Sequence, residues 1–177
     1  MILPAFSQAR EHAKRVRCTA NLHQIAIGWQ LYLDDEANDV FPTFTKNIHW
    51  FYGGKVEIYA IDGIDGELAV LNPRPLNRYV GFDPYGNEAA EVFHCPSDRG
   101  AENLYDPAAH GRTTYDYMGN SYPLNPNIVA GQINDETCAP YYPRRHLRVN
   151  QIEVSPSQFV LAGDHQMYWT PMDNHYF

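Results

Sequence analysis

The residue types that most often carry out enzymatic chemistry are scattered along this sequence. The chain has eight histidines, and His165 and His175 each lie close to an aspartate, a combination used in acid–base and metal chemistry. His94 directly precedes Cys95, but both lie on a predicted strand, where adjacent side chains point to opposite faces. None of the HExxH, GxSxG, P-loop or GxGxxG motifs accompanies these residues. We therefore predict that the protein is not an enzyme.

Four carboxylates, Asp34, Asp35, Glu36 and Asp39, crowd together where a long predicted helix ends. Acidic residues interact unfavourably with the negative end of a helix dipole. A bound cation would relieve this interaction, and so would solvation, which we favour because the EF-hand spacing is absent. We predict no cofactor. Calcium is the one ion these carboxylates could take, and no motif in the sequence supports it.

The three cysteines, Cys18, Cys95 and Cys138, have neither CxxC nor zinc-finger spacing. A structural metal is therefore not expected. In an oxidising compartment, one disulfide and one free thiol would fit this number. Spacing alone leaves all three pairings open.

Composition and charge predict one globular domain with an acidic body. The chain has 177 residues, a net charge of −8 and 14% aromatic residues. Four basic residues and one acidic residue precede residue 18, so the excess acid lies in the rest of the chain. An acidic body argues against nucleic acid as a partner. The basic cluster could contact acidic lipid headgroups or an acidic neighbouring subunit, or it could be a solvated helical face.

Residues 1–35 are predicted to form one long amphipathic helix with two apolar stripes. The first stripe runs along the whole helix and contains Ile2, Phe6, Ala9, Ala13, Val16, Ala20, Ile27 and Leu31. The second lies on the opposite face and begins only at Cys18; its members are Cys18, Leu22, Ile25, Trp29 and Tyr32. The rear half must therefore be covered on two sides.

One arrangement explains this asymmetry well. The rear half would pack on the chain's own domain, and the first stripe would be buried by a helix of another subunit. The alternative is a helix that is folded back entirely within one domain. No segment has the roughly 20 apolar residues of a membrane span, so the chain by itself is expected to be soluble.

Residues 36–177 are predicted to form a globular domain of short strands and long loops. Strands are predicted over 56–61, 92–95, 113–118 and 158–162, a short helix over 74–80, and a long surface loop over 121–142. The last strand is followed by a Gly-Asp turn and a return segment. This pattern predicts an α+β fold with a small antiparallel sheet packed on the long helix.

Several segments resemble bacterial prepilin-type proteins, which include the type IV pilin-like proteins and the G-like pseudopilins of type II secretion. The helix carries "LPAFSQARE" at residues 3–11, then Cys18, Asn21-Leu22, Gln24-Ile25 and Tyr32, and leaves through Phe41-Pro42. Further segments of the resemblance are "FHCPSD" at 93–98, "TTYDYMGNSY" at 113–122 and "SPSQFVLAGD" at 155–164. The resemblance thus covers most of the chain.

The resemblance implies a structural, assembly-forming subunit of a secretion or pilus-like system in the cell envelope. The rear of the helix, Cys18, Leu22, Ile25, Trp29 and Tyr32, would face the sheet. Its front would contact like subunits through Phe6, Ala9, Ala13, Val16 and Ala20, and other pilus or secretion components would be further partners. It also implies a Cys18–Cys95 disulfide, and a membrane half of the helix and a last C-terminal segment that this sequence does not contain.

The alternative class is a secreted or filament-tip binding module. Exposed aromatic side chains can bind sugars or proteins by stacking. The residues that would do so are the pairs Tyr141-Tyr142 and Tyr168-Trp169.

Overall fold

One long helix, α1, is the largest element of the computed structural model. The structure describes residues 3–35, 40–42, 52–55, 74–85, 90–100, 110–125, 148–152 and 161–163. Helix α1 spans Leu3–Asp35, 33 residues, or about 50 Å. Its one proline, Pro4, lies in the first turn, where a missing N–H costs no helical hydrogen bond. The helix ends at Asp35, the residue at which the sequence predicts its end.

The single glycine of α1 lies at a tight contact between the helix and the body. A Cβ atom at Gly28 would lie 2.9 Å from Val80 Cγ1 and 3.4 Å from Leu76 Cγ. Val80 belongs to a 3-10 helix, Asn77–Val80, which is shorter than the helix predicted over 74–80. Because a larger residue at 28 would push this 3-10 helix away, Gly28 allows the two elements to pack in direct contact.

An aromatic core lies beneath the rear half of α1. The ring of Trp29 is 5.5 Å from the ring of Tyr32, 5.5 Å from that of Phe41 and 5.4 Å from that of Tyr52. All four side chains are buried. Tyr52 also donates its hydroxyl hydrogen bond to the carbonyl of Tyr122, at 2.7 Å. Edge and tilted ring contacts of this kind stabilise a core beyond the area that they bury.

Buried polar side chains connect the loops that form the other side of this core. Asn77 accepts from the backbone N–H of Gly54 and donates to its carbonyl, both at 2.8 Å. Arg74 donates to the carbonyls of Lys55 and Met118, each at 3.0 Å. Desolvation lowers the pKa of Arg74 to about 9, so its guanidinium remains charged at neutral pH. These contacts hold three separate segments in one rigid unit.

The strand predicted over 113–118 is wrong, because this segment is a short helix, α2, spanning Thr114–Met118. Thr113 Oγ1 caps it by accepting from the backbone N–H of Asp116 at 3.0 Å. Gly119 ends it with a φ of 78°, a left-handed conformation that glycine adopts without strain. Capping at both ends therefore prevails over the alternating tyrosines that suggested a strand.

Two other predictions also need correction. The strand predicted over 92–95 is wrong, because the segment begins with a 3-10 helix, Glu91–Phe93, and only then continues with His94 in an extended conformation. The loop predicted over 121–142 does not begin on the surface, because residues 121–125 are buried. Tyr122 and Leu124 belong to the hydrophobic core there.

The antiparallel sheet stays a prediction. Within the described residues, β-pairing is limited to two isolated antiparallel bridges, Val40 with Arg148 and Leu124 with Ala162. A further 3-10 helix, Val149–Gln151, follows the first bridge. The strand predicted over 56–61 and most of the strand predicted over 158–162 lie outside the described residues.

Candidate interaction surface on the N-terminal helix

The inner side of α1 packs on the body. Ile25 and Trp29 are each 1% exposed and Tyr32 is 7% exposed. Cys18 and Leu22 are partly buried against the same core. The five side chains predicted to face a sheet therefore face the body. In the described residues, α1 is contacted by the two 3-10 helices Asn77–Val80 and Glu91–Phe93.

The outer side of α1 carries an exposed row of apolar residues, here called the outer stripe. Phe6 is 68% exposed, Val16 56%, Ile27 48% and Leu31 47%. These are four of the six large hydrophobic side chains that are exposed in the described part of the chain. The outer stripe consists of Phe6, Ala9, Ala13, Val16, Ala20, Ile27 and Leu31, all of them exposed. Such a concentration on one face is typical of a surface that binds a partner.

Residue spacing along the outer stripe is that of a coiled-coil seam. Phe6, Ala13, Ala20 and Ile27 are seven residues apart and form one row. The neighbouring row, also with a spacing of seven, contains Ala9, Val16, His23 and Gln30. A seven-residue repeat keeps both rows facing a partner helix along its length. The first row is apolar through Ile27, but the second row becomes polar at His23, so both rows are apolar together only in the front half of the stripe.

A disulfide fixes α1 to the body at the point where the inner side becomes covered. Cys18 is bonded to Cys95, and their Cα atoms are 5.3 Å apart. This is the pairing that the prepilin resemblance implies. One turn further along, Asn21 Nδ2 donates to the carbonyl of His94 at 2.9 Å and to the hydroxyl of Tyr122 at 3.2 Å. The covalent bond and these buried hydrogen bonds set the rotation of α1, and thereby which side faces outward.

The front of α1 is held less firmly. In the described part of the chain, no residue from 5 to 16 forms a hydrogen bond or ion pair outside the helix. Lys14 pairs with Glu11 at 2.8 Å within the helix, and this hydrogen bond lowers the pKa of Glu11. Among the described residues, the first ion pair that joins α1 to the body is Arg17 with Glu91, at 3.1 Å. Within that part of the chain, the polar contacts of residues 5–16 stay inside the helix.

The rear end of α1 is acidic and only partly neutralised. Asp35 Oδ2 accepts a hydrogen bond from the hydroxyl of Tyr79 at 2.7 Å and forms an ion pair with Arg78 at 3.3 Å. Partial burial and then this hydrogen bond raise the pKa of Tyr79. Asp34 is exposed and accepts from Gln30 within the helix at 2.9 Å. Of the four clustered carboxylates, Glu36 and Asp39 lie outside the described residues.

His94 and Cys95, the adjacent histidine and cysteine of the sequence, both make structural contacts. Cys95 is in the disulfide, and the ring of His94 stacks on that of Tyr115 at 4.6 Å. Among the described residues, no group of three or more His, Cys, Asp or Glu side chains could hold a metal ion. His165, His175 and the two aromatic pairs of the alternative hypothesis lie outside the described residues.

One structurally central side chain was not predicted. Asp98 accepts four hydrogen bonds, from the backbone N–H groups of Gly100, Thr114 and Tyr115 and from the hydroxyl of Ser121. The sequence feature that could have indicated this role is the position of Asp98 in the segment "FHCPSD", three residues after Cys95. Asp98 therefore connects the disulfide-bearing loop to the first turn of α2.

None of the helices in the described residues has both the length and the hydropathy needed to span a bilayer. Comparison of the chain with protein-family models, with curated proteins and with solved structures finds no match.

Proposed function

We propose that the protein is a structural, assembly-forming subunit of the pilin-like or pseudopilin type. It would belong to a type II secretion or type IV pilus-like system of the bacterial cell envelope. Its role is to bind like subunits through the outer stripe of α1. No chemical step is part of this function.

The observation that carries the proposal is the division of α1 into two sides. Its rear inner side is buried and is held by the disulfide, whereas the outer stripe stays exposed along the helix. Burial of apolar surface of this kind contributes about 25 cal/mol per Å². A partner that covers the exposed stripe would therefore gain favourable binding free energy from it.

The composition of the stripe favours a helix as that partner. Ala9, Ala13 and Ala20 are small, so a second helix can approach α1 closely at these positions. Phe6, which precedes Ala9, and Val16, which lies between Ala13 and Ala20, are larger side chains that can fit into the gaps of a facing helix. A like subunit provides such a helix with the same spacing.

An Ala13→Glu variant tests this proposal. Ala13 lies in the middle of the front half of the stripe and is exposed, so the folded domain should tolerate glutamate there. Buried in a helix–helix contact, an unpaired carboxylate is strongly unfavourable. We expect the variant to keep the near-UV circular dichroism of the parent chain and to lose concentration-dependent self-association in sedimentation experiments.

Ala26→Glu is the matched control, because Ala26 is exposed on the same helix but lies outside the stripe. It should associate like the parent chain. Equal association of both variants would refute the outer stripe as the contact surface, and so would a parent chain that remains monomeric up to about 0.5 mM.

A further inference from the structure

The two cysteines of the disulfide that fixes α1 differ in exposure. Cys95 is 3% exposed, whereas Cys18 is only partly buried. We propose that Cys18 is a site of thiol–disulfide exchange. A small, negatively charged thiol attacks the sulfur of Cys18 and stays bound to it, and Cys95 is released as the buried thiol that later closes the bond again. The exchange takes place within one copy of the chain and does not require assembly.

The reaction replaces one sulfur–sulfur bond by another. The incoming thiolate forms a bond to Sγ of Cys18, the Cys18–Cys95 bond breaks, and its electron pair leaves with Sγ of Cys95, which takes up a proton from water. In the reverse step the Cys95 thiolate attacks Sγ of Cys18 and expels the bound thiol. When glutathione disulfide oxidises the reduced chain, the two protein thiols lose two electrons and two protons, and one glutathione disulfide becomes two molecules of glutathione.

Access decides which sulfur is attacked. Cys18 lies where the inner side of α1 becomes covered, and its neighbours in sequence, Arg17 and Thr19, are exposed. Cys95 belongs to the hydrophobic core, and its backbone N–H donates to Ser121 Oγ at 3.1 Å. A thiol that approaches from solvent therefore reaches Cys18 first.

The helix surface around this site is basic. Lys14 and Arg15 lie about one turn before the cysteine, and Arg17 lies directly before it. In the described part of the chain, Glu11 pairs with Lys14 and Glu91 pairs with Arg17. One positive charge of the three therefore remains in excess. It attracts an anionic thiol such as glutathione and repels a cationic one such as cysteamine. Basic neighbours also favour the thiolate, which is the form of a cysteine that attacks a disulfide.

The charge beside the buried cysteine has the opposite sign. Asp98 follows Cys95 by three residues, and its carboxylate accepts from Ser121 Oγ at 2.6 Å. The same hydroxyl oxygen accepts from the backbone N–H of Cys95. An anionic thiol is therefore drawn to the α1 side of the disulfide and away from the side of the body.

Hydrogen bonds keep the released cysteine close to its partner. Asn21, three residues after Cys18, donates to the carbonyl of Glu91 at 3.4 Å and to that of His94 at 2.9 Å. The Cα atoms of the two cysteines are 5.3 Å apart. Because these hydrogen bonds do not require the disulfide, Cys95 stays placed to attack Cys18 again. The bound thiol thus opens the covalent link reversibly, while the rear of α1 remains on the body.

Mapping of bound glutathione tests the site. The Cys138→Ala chain is used, because Cys138 lies outside the described residues and is a third thiol that would compete. The folded, oxidised chain is incubated with about 5 mM glutathione at about pH 8, quenched with acid and alkylated with N-ethylmaleimide in urea. Mass spectrometry of its peptides should find at least about tenfold more glutathione on Cys18 than on Cys95, with the maleimide on Cys95.

Two single-thiol variants of the same chain provide a matched pair. Cys95→Ala leaves Cys18 as the one thiol, and Cys18→Ala leaves Cys95. Under native conditions the thiol of Cys18 should react with glutathione disulfide at least about tenfold faster than that of Cys95. In about 8 M urea the two rates should agree within about twofold, because burial no longer differs. If near-UV circular dichroism shows either variant to be unfolded, mapping of the oxidised chain alone decides.

The charge of the attacking thiol is tested on the oxidised chain. The rates at which glutathione and cysteamine open the disulfide are each divided by the rate for the chain unfolded in urea, which removes their intrinsic difference. At about 50 mM NaCl glutathione should then be about threefold faster than cysteamine, and the preference should disappear at about 500 mM NaCl.

Four results would contradict this assignment. Glutathione found mainly on Cys95, or equally on both cysteines, would overturn Cys18 as the exchange site. So would a folded chain that forms no mixed disulfide up to about 10 mM glutathione. Equal native rates for two folded single-thiol variants would do the same. Cysteamine that opens the bond as fast as glutathione at low salt would refute a negatively charged thiol as the ligand.

Discussion

Asp98 shows how a single side chain can organise a large part of this body. Its two carboxylate oxygens accept hydrogen bonds from the loop after Cys95, from the first turn of α2 and from Ser121. Ser121 Oγ in turn accepts from the backbone N–H of Cys95 at 3.1 Å. The carboxylate therefore accepts from two N–H groups in the first turn of α2 that the Thr113 cap leaves free, and it fixes the disulfide-bearing loop to that turn.

Replacing Asp98 by asparagine should destabilise the protein by about 2 kcal/mol. Asparagine keeps one acceptor oxygen but presents an NH₂ group where the second oxygen accepted from Tyr115 and Ser121. The free energy of unfolding from urea titration measures the effect.

Asp83→Asn is the control for this substitution. Asp83 is exposed, and its carboxylate accepts from the backbone N–H of Tyr85 at 2.9 Å in a turn. The Asp83→Asn substitution should lower the free energy of unfolding by less than about 0.5 kcal/mol. Equal effects of the two substitutions would show that Asp98 is not the fixed point described here.

The sequence gives the identity of such residues more readily than their roles. "CPSD" at residues 95–98 was recognised as a segment of the resemblance, but hydrogen bonds to backbone groups depend on how distant loops meet. Arg74 and Asn77 were missed for the same reason. Their partners are backbone groups of residues 53–55 and 118, which no local pattern predicts.

Among the elements, α1 depends on its covalent attachment. The Cys18–Cys95 bond closes a loop with a sequence separation of 77 residues. In the chain-entropy description, a cross-link over a loop of this length stabilises the folded state by about 4 kcal/mol. It does so mainly by restricting the unfolded chain.

Reduction with dithiothreitol should therefore lower the free energy of unfolding by about 4 kcal/mol. A variant with both Cys18 and Cys95 replaced by alanine should be similarly unstable and should not respond to the reductant. That pair of measurements assigns the effect to this bond. A parent chain whose urea midpoint does not change on reduction would contradict the prediction.

The two helices show which local signals are reliable. Helix α1 is long, has no proline after its first turn and carries two apolar stripes, so its course and its end at Asp35 could be predicted from the sequence. For α2, the alternation of Tyr115 and Tyr117 suggested a strand. The better signals were Thr113 with Asp116 three residues later and Gly119 directly after the end, which together are typical of a capped helix. In a segment of five residues, the capping residues predict the secondary structure better than the periodicity of the side chains does.

At the scale of the whole molecule, support for α1 is unequal along its length. Residues from Cys18 onward pack on the body, whereas residues 5–16 form no hydrogen bond or ion pair with those residues outside the helix that the structure describes. Isolated helical segments of about 12 residues are marginal in water. Assembly would thus both add contacts to the front of α1 and stabilise its helical conformation.

Amide hydrogen exchange should reveal this difference. In dilute solution, residues 5–16 should exchange at least about tenfold faster than residues 21–32, because only the latter lie against the core. At concentrations where the chain associates, protection should rise in residues 5–16 and change little in residues 21–32. Uniform protection along α1 in the dilute chain would contradict this expectation.

The wider architecture could be predicted only in part. The two apolar stripes predicted a long helix with one side packed on the globular domain, because an apolar stripe is stable only when other residues cover it. The antiparallel sheet stays a prediction, since the described residues contain only isolated bridges. Short apolar segments are ambiguous in sequence: residues 114–118 form a helix capped by Thr113, and residues 91–93 form a 3-10 helix without a side-chain cap.

The position of the disulfide has a mechanical consequence. Among the contacts between described residues, Cys18 is the first position of α1 that is joined to the body by more than an exposed ion pair. Tension applied at the front end of the helix therefore reaches the body through a covalent bond before it reaches Ile25, Trp29 and Tyr32. A load that would otherwise peel the helix away one turn at a time is instead shared by the whole domain.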